Sequence, residues 1–457
     1  MQFLNLTRHV EIGANCYALT LAGRQVILDC GMHPKREGGE ALPDFSLLKQ
    51  GPGVEAIFLS HAHHDHIGSL PVLTRWHPQP PVFTTEATAA LGEIMLHNSV
   101  NVMTRQREEI GLTEYPMFTH REVDIGIKQW RRTPLHRAFT LEGERAGGGE
   151  EVTFELFDAG HVLGAAGVLF RAEGRTVFYT GDVNFADQTI SRAARFPEEG
   201  VDVLIIETTR GDHETPAGFT RVGEEKRLAA AIRGAFERGG AVVMPLFALG
   251  KTQELLVMLN DFRRRGHIPS CPIYIGGLGA KLTEAYDSLA HSTPRLRPEM
   301  QILDTTAPFV LAGPGAHDAP IRPGRIYALS SGMMTEKTLS HTFAQRILSS
   351  PEHSLFFVGY ADPASPAGRI RSAAPGAALE LDREAGPKQI RCTVEQFNFS
   401  GHAPREDILG YITRLKPKKV VLIHGDPPAV GWFQESLKTA LPESEVVCPT
   451  PGVPLEI

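Results

Sequence analysis

Four histidines and an aspartate fall between positions 61 and 66, in the stretch Ser60-His61-Ala62-His63-His64-Asp65-His66. They follow the apolar run Val54 to Leu59, which reads as a buried strand, and they stand where that strand gives way to a helix. His61 and His63 are two apart, so an extended backbone points both to one side, where they can share a metal. Asp65 and His66 lie where the chain turns into the helix and can reach a second one. Clustered imidazoles suit zinc, and an added carboxylate suits a site that must also hold water. The alternative is a solvated loop, which does not account for so dense a set of ligand-type side chains.

Other residues of the same chemistry also end predicted strands. The strands Glu151 to Asp158 and Gly167 to Arg171 flank His161 in a glycine-rich corner, and Val177 to Thr180 leads into Gly181-Asp182. Val203 to Ile206 leads into Glu207-Thr208-Thr209, a strand ending near Phe397 leads into Ser400-Gly401-His402, and Lys419 to Ile423 leads into His424-Gly425-Asp426. Any one of them alone reads as structural. Together they have the distribution of an active site built on strand ends. Asp29, which closes the strand Gln25 to Asp29, either caps a turn or orients a metal-binding histidine from behind.

The positioning elements divide into two styles. The first third holds a hairpin, Gly13 to Thr20 with Gln25 to Asp29, turning near Ala22-Gly23. A strand at Pro81 to Thr84 and helices from Ala87 to about Arg107 and from Thr119 to Trp130 follow. Gly147-Gly148-Gly149 reads as a hairpin loop, because it lacks the strand-to-helix setting of a phosphate cradle. From about Arg210 strands and helices alternate: helices Glu224 to Arg238, Thr252 to Arg265, Leu278 to Ala290 and Glu336 to Ser349, with strands Ala241 to Pro245, Ile273 to Ile275, Arg325 to Ser330 and Ser354 to Gly359. That alternation predicts a mostly parallel sheet in a domain of its own, closed by loop material from Asp362 to Gly386. The expected organisation is a metal domain (1–208 and 386–457) interrupted by an inserted βα domain (209–385).

Size and composition agree. A chain of 457 residues predicts two or three domains, and 42% hydrophobic with 22% charged residues is an ordinary soluble balance. The net charge of -7 carries no chain-wide signature of nucleic-acid binding, although a groove holding dications can bind phosphates on an acidic molecule. Met1 to Arg24 lacks a basic leader with an apolar core, and no apolar run approaches bilayer length, so no membrane segment is expected. The five cysteines are far apart and form no C-x-x-C pair, which predicts reduced thiols in a cytoplasmic protein.

The cluster His61 to His66, with His161, Asp182 and His424, resembles the metallo-β-lactamase fold. Glu207, His402 and His424, in the settings Glu-Thr-Thr, Phe-Ser-Gly-His and Ile-His-Gly-Asp, resemble the three added motifs of its β-CASP branch. Gly239 to Leu256, Ser330 to Thr335 and Phe357 to Tyr360 are similar to that branch's insert. The resemblance covers nearly the whole chain in order. It implies an α/β fold, an αββα sandwich interrupted by a β-CASP domain, in a compact bacterial form similar to the endonuclease subunit of the cleavage and polyadenylation factor. It also implies ligand sets: His61, His63 and His161 for one zinc, Asp65, His66 and His424 for the other, and Asp182 between them. Glu207 and His402 would pair at the domain interface. Three positions depart from the family pattern. Ser-Gly-His-Ala-Pro replaces Ser-Ala-His-x-Asp around His402, Asp426 replaces a glutamate, and Arg210 stands where an aromatic residue is usual.

The family is known for nucleases, so the implied function is hydrolysis of phosphodiester bonds in single-stranded RNA by a metal-bound hydroxide. Asp65, His402 and Glu207 are the catalytic candidates, with His402, oriented by Glu207, protonating the leaving oxygen. Two Zn2+ per chain are implied, and Mn2+ can occupy similar ligands. The turn Ser330-Ser331-Gly332, expected just ahead of a helix, can offer backbone N–H groups to a phosphate, and Lys251 and Arg369 can hold strand phosphates. The partner is single-stranded RNA in the groove between the domains, cut internally or from an end, with a homodimer allowed. Three alternatives stand beside this one. A DNA-directed nuclease has no discriminator in the sequence. A small-molecule metallohydrolase has no need of the large insert, and a non-catalytic RNA-binding subunit has no need of the full ligand set.

Overall fold

The structure is a computed structural model that describes residues 1–382 and 386–457. Two seven-stranded sheets and one six-stranded sheet carry the fold among the described residues. The first sheet runs, in spatial order, 455–456, 2–5, 17–21, 24–28, 54–58, 82–84 and 130–132. The second runs 445–447, 419–423, 203–207, 175–179, 166–172, 152–158 and 138–140. Their facing sides form one apolar core that includes Phe3, Leu28, Phe58, Phe154, Val168, Val203 and Val421. Phe58 sits at its centre, 5.3 Å from the Phe83 ring and edge-on to Phe154 (4.7 Å) and Phe170 (4.9 Å). Burying such a ring contributes about 1.5–3 kcal/mol, and this one underlies the strand that leads to His61. Helices cover the outer faces: Glu86–Ile110 lies over the first sheet, and Arg405–Leu415 and Pro427–Ala440 lie over the second. This is the expected αββα sandwich.

Strand direction gathers the chemistry. Strands 152–158 and 175–179 each pair antiparallel with 166–172, so they run the same way, and 203–207 and 419–423 continue parallel beside them. Their C-terminal ends share one edge. In the first sheet 24–28 and 54–58 are parallel, and their ends are joined by a hydrogen bond from Asp29 N to Phe58 O of 2.8 Å. At this junction Gly31 approaches the Asp65 carbonyl so closely that a Cβ would lie 1.7 Å from it. Only glycine fits there.

The inserted sheet runs 309–311, 273–276, 326–329, 242–245, 354–358 and 393–397, and every neighbouring pair is parallel. Helices pack on both faces, as a parallel sheet requires. Its last strand corrects the expected organisation. Thr393–Phe397, assigned above to the second part of the metal domain, pairs with Ser354–Val358 in the inserted sheet. The expected boundary at 385/386 itself falls next to residues outside the described ones.

Four local expectations also change. The first hairpin strand begins at Tyr17, not Gly13. The helix expected over Thr119 to Trp130 spans His120–Gly126, because the first sheet claims Trp130–Arg132 as a strand beside Val82–Thr84. The segment after Asp362 contains the helix Pro366–Ser372, started by Ser365, whose hydroxyl accepts from Gly368 N, and by proline in the first turn. The helix expected from Glu336 begins at Leu339, because Met334 and Lys337 adopt positive φ and turn the chain first. Ser330-Ser331-Gly332 therefore does not open a helix, and its N–H groups are not those of a helix terminus.

No helix among the described residues is long and apolar enough to cross a membrane.

Candidate metal centre

The strand ends bring together His61, His63, His161 and Asp182 as one set and Asp65, His66 and His424 as another; within each set the ligand atoms lie within 4.8 Å of one another. In the first, His63 Nδ1 stands 3.0 Å from His61 Nε2 and 3.1 Å from His161 Nε2. Asp182 lies between the sets. Its Oδ2 is 3.5 Å from His61 Nε2 and 3.6 Å from His161 Nε2, while its Oδ1 is 3.4 Å from His66 Nε2 and 3.0 Å from His424 Nδ1. Asp65 Oδ2 completes the second set at 3.4 Å from His424 Nε2 and 3.8 Å from His66 Nε2.

Electrostatics separate the two sets. Burial holds His61 and His161 well below the ordinary imidazole value and takes His63 down to about 4, so all three are neutral and able to ligate. Burial acts on His66 and His424 in the same direction, but the carboxylates outweigh it. Asp182, Asp29 and Asp65 raise His66, and Asp182 with Asp65 lifts His424 to about 10. Burial would raise Asp182, yet His424, His66 and His61 hold it well below the carboxylate range. The carboxylates thus demand positive charge, and a divalent cation answers that demand. Asp182 Oδ1 and His424 Nε2 are buried with no hydrogen-bond partner, a cost that a metal bond relieves. The donor set of imidazole nitrogens and carboxylate oxygens fits zinc or a similar cation.

Asp29 resolves its two readings in favour of orientation. Fully buried, it accepts from Ser60 N, Ser60 Oγ and His66 Nδ1, each at 2.7 Å, and from Tyr179 Oη at 2.5 Å. The hydrogen bond to Nδ1 fixes the His66 ring with Nε2 toward Asp182, and Tyr179 ties Asp29 to the second sheet. Asn15, which carries no recognisable sequence signal, places its amide 3.1 Å from His66 Nε2 and is itself held by Tyr17 Oη. Thr209 Oγ1, 3.1 Å from His424 Nδ1, is a further contact that no spacing predicts. Removing the hub leaves several buried donors unpaired. Asp29→Ala is expected to cost about 3 kcal/mol of stability and to weaken metal affinity about 10- to 100-fold. Thermal unfolding and metal titration check this, and unchanged values in both would rule out the role.

Glu207 and His402 pair as expected. His402 Nδ1 lies 3.0 and 3.2 Å from the two oxygens of fully buried Glu207, which also accepts from Val183 N at 2.6 Å. Glu207 thus orients the ring without the aspartate that this chain lacks two residues on, and His402 N donates to Ser400 Oγ. The strand leading to His402 belongs to the inserted sheet, whereas Ala403 N donates to Val183 O. His402 therefore sits where the chain crosses between domains.

The substrate candidates scatter. Lys251 comes to the site: its Nζ is 3.5 Å from the position of a Cβ on Gly401, next to the His161 ring. Gly332 packs under the Phe247 ring. Ser331 Oγ accepts from Thr335 N, and Arg369 is exposed on helix Pro366–Ser372, joined to the cluster by no contact among the described residues.

Comparison with known proteins agrees with this architecture. Residues 10–229 match the family model "Metallo-beta-lactamase superfamily", residues 252–370 the "Beta-Casp domain", and residues 388–449 the "Zn-dependent metallo-hydrolase RNA specificity domain". The chain is 29% identical to cleavage and polyadenylation specificity factor 73 of Drosophila melanogaster, covering 94% of this chain and 60% of that protein. It is 28% identical to endoribonuclease ysh1 of Schizosaccharomyces pombe (96% and 56%). The transcription termination factor FttA of Methanothermobacter thermautotrophicus is also 28% identical (91% and 65%). The chain thus spans little more than half to two thirds of the length of these relatives. A solved structure of a protein of unknown function from Enterococcus faecalis V583 shares the fold, with a TM-score of 0.52 at 15% identity over 99% of both chains. The chain belongs to the β-CASP branch of the metallo-β-lactamase superfamily.

Proposed function

We propose that this protein is a metal-dependent ribonuclease that hydrolyses phosphodiester bonds of single-stranded RNA with two zinc ions. The observation that carries the proposal is Asp182, one oxygen toward His61 and His161 and the other toward His66 and His424. That is the arrangement a bridging ligand requires. His61, His63 and His161 would hold one ion and Asp65, His66 and His424 the other. Bound there, the ions act as Lewis acids that lower the pKa of water from about 15.7 toward about 7 and offset phosphate charge.

The protein's own groups supply the rest. Asp29 and Glu207 fix the rings of His66 and His402. With Nδ1–H donated to Glu207, His402 directs Nε2 at the leaving oxygen. As a hydroxide oxygen, its other proton already released to solvent, bonds to phosphorus and the bond to the leaving oxygen breaks, the Nε2 proton passes to that leaving oxygen. Support for RNA as substrate comes from relatives whose names record cleavage, polyadenylation and endoribonuclease roles. All five cysteines are unpaired, which supports a cytoplasmic setting.

The test is cleavage of single-stranded RNA labelled at either end, with metal content determined on the same sample and a DNA strand of equal sequence in parallel. Cleavage that disappears with a chelator and in Asp65→Ala is the expected result, and the ladder distinguishes internal from terminal cutting. Fully metallated protein that leaves RNA intact would defeat the proposal. Light scattering on the same sample reads whether the chain is a homodimer.

A further inference from the structure

Two cations near the Glu207–His402 pair form no ion pair among the described residues. Among the described residues, no acceptor takes a hydrogen bond from the Arg210 guanidinium or the Lys251 ammonium. Both are half-buried, where an unpaired charge is costly. Burial pulls both downward, Lys251 to about 8, and Arg210 is close enough for its charge to act on Lys251. Glu406, Glu207, Asp407 and Asp212 act on Arg210 by charge and Glu254 acts on Lys251, but none forms an ion pair with either cation among the described residues. Glu254 accepts from the backbone N–H groups of Thr189, Ile190 and Ser191. Glu207 holds His402 and Val183 N, and Glu406 holds Thr215 and Arg405. Arg221, the other cation nearby, is paired with Glu225 and donates to Thr189 Oγ1.

The positions of these two side chains are informative. Arg210 follows Glu207 by three residues, and Lys251 Nζ lies against Gly401, the residue before His402. Lys251 Cε is 4.0 Å from the place of a Cβ on Gly359, whose neighbour Tyr360 is 42% exposed. Tyr360 donates its hydroxyl to Asp362 at 3.4 Å, which steadies the ring and leaves part of it open to solvent. Asp212 and Asp426 act on Tyr360 by charge, and Asp212 acts on Arg210 as well, so the two side chains have a carboxylate neighbour in common. Cations with an open aromatic ring are the elements from which single-strand sites are built.

We propose that Arg210, Lys251 and Tyr360 form a subsite for one nucleotide of a single RNA strand beside His402, with the cations on its phosphates and the ring against its base. The subsite rests on the RNA reading above. It gives Arg210 a role that an aromatic residue at this position cannot fill, because guanidinium binds phosphate in a bidentate fork.

The test uses the metal-loaded full chain and a fluorescent, cleavage-resistant phosphorothioate decaribonucleotide, with Kd measured across a salt series. Arg210→Gln is expected to weaken binding about tenfold and to make the slope of log Kd against log salt shallower by about 0.7. Arg210→Lys keeps the charge and keeps the slope. Tyr360→Ala weakens binding about tenfold at unchanged slope, and Tyr360→Phe restores it. A slope unaltered in Arg210→Gln overturns the phosphate contact, and an unaltered Kd in Tyr360→Ala overturns the stacking. An equal loss in Arg210→Lys and Arg210→Gln, accompanied by a lowered Tm in both, assigns Arg210 to packing and also overturns the proposal. Failure of the unaltered protein to bind the decamer would instead remove the RNA reading itself. The two failures are thereby told apart.

Discussion

His402→Ala is expected to lower turnover on single-stranded RNA by about a hundred- to ten-thousand-fold, the usual contribution of a positioned proton donor, while metal content stays that of the unaltered chain. The geometry separates the two quantities. His402 turns Nδ1 to Glu207 at 3.0 Å, and it meets the metal sets through a longer 3.9 Å contact with Asp182 Oδ2 and by packing on the His161 ring, centroids 4.5 Å apart. The ring is 21% exposed, whereas His61, His66, His161 and His424 are buried, so Nε2 can meet a substrate. Metal analysis and single-turnover cleavage on one preparation check the prediction. Loss of metal in the variant would reassign His402 as a ligand, and undiminished turnover would remove it from the reaction.

The second large effect is expected at Asp182. Asp182→Ala removes the carboxylate that faces both sets, and with it an anion that helps to hold His66 and His424 in place. Metal content is expected to fall below two ions per chain and cleavage to drop by more than about a thousandfold, since the nucleophile and the charge neutralisation are lost together. Elemental analysis after dialysis against zinc is the direct measurement. A variant that keeps both ions and cuts at the original rate would show that Asp182 does not bridge. Asp182 is 3% exposed and lies among polar groups, so the variant's Tm is measured first, separating loss of fold from loss of ligand.

Much of this centre was legible because its signal is local. His61 to His66 carries its chemistry within one strand end, and the apolar runs before His161, Asp182, Glu207 and His424 announce their strands. Asp29 was visible as a candidate but ambiguous, because capping a turn and orienting a ring call for the same residue type at the same place. Asn15 and Tyr179 were not visible. Each acts through one side-chain atom on a residue that is distant in sequence, and no periodicity encodes that. The strand Thr393–Phe397 was misassigned for a related reason. Its pattern marks a strand but does not name the sheet it joins, and tertiary pairing with Ser354–Val358 decided it. Helix starts were lost where positive φ at Met334 and Lys337 bends the chain before a helix can form.

The crossing of the chain at His402 limits how the two domains can part. Asn398 is held to the inserted domain by Glu224, and Gly401 O accepts from His161 Nδ1 in the other domain. Only Phe399 and Ser400 intervene. A tether so short spans about 10 Å at most, so at this point the domains cannot separate. Helix Lys251–Arg264 is tied to the metal domain as well, because Glu254 accepts from Thr189, Ile190 and Ser191 N, so Glu207, His402, the candidate ligands and Lys251 are held in one register. A strand entering the groove would therefore meet a site already assembled, its ordering completed in folding and not left to binding.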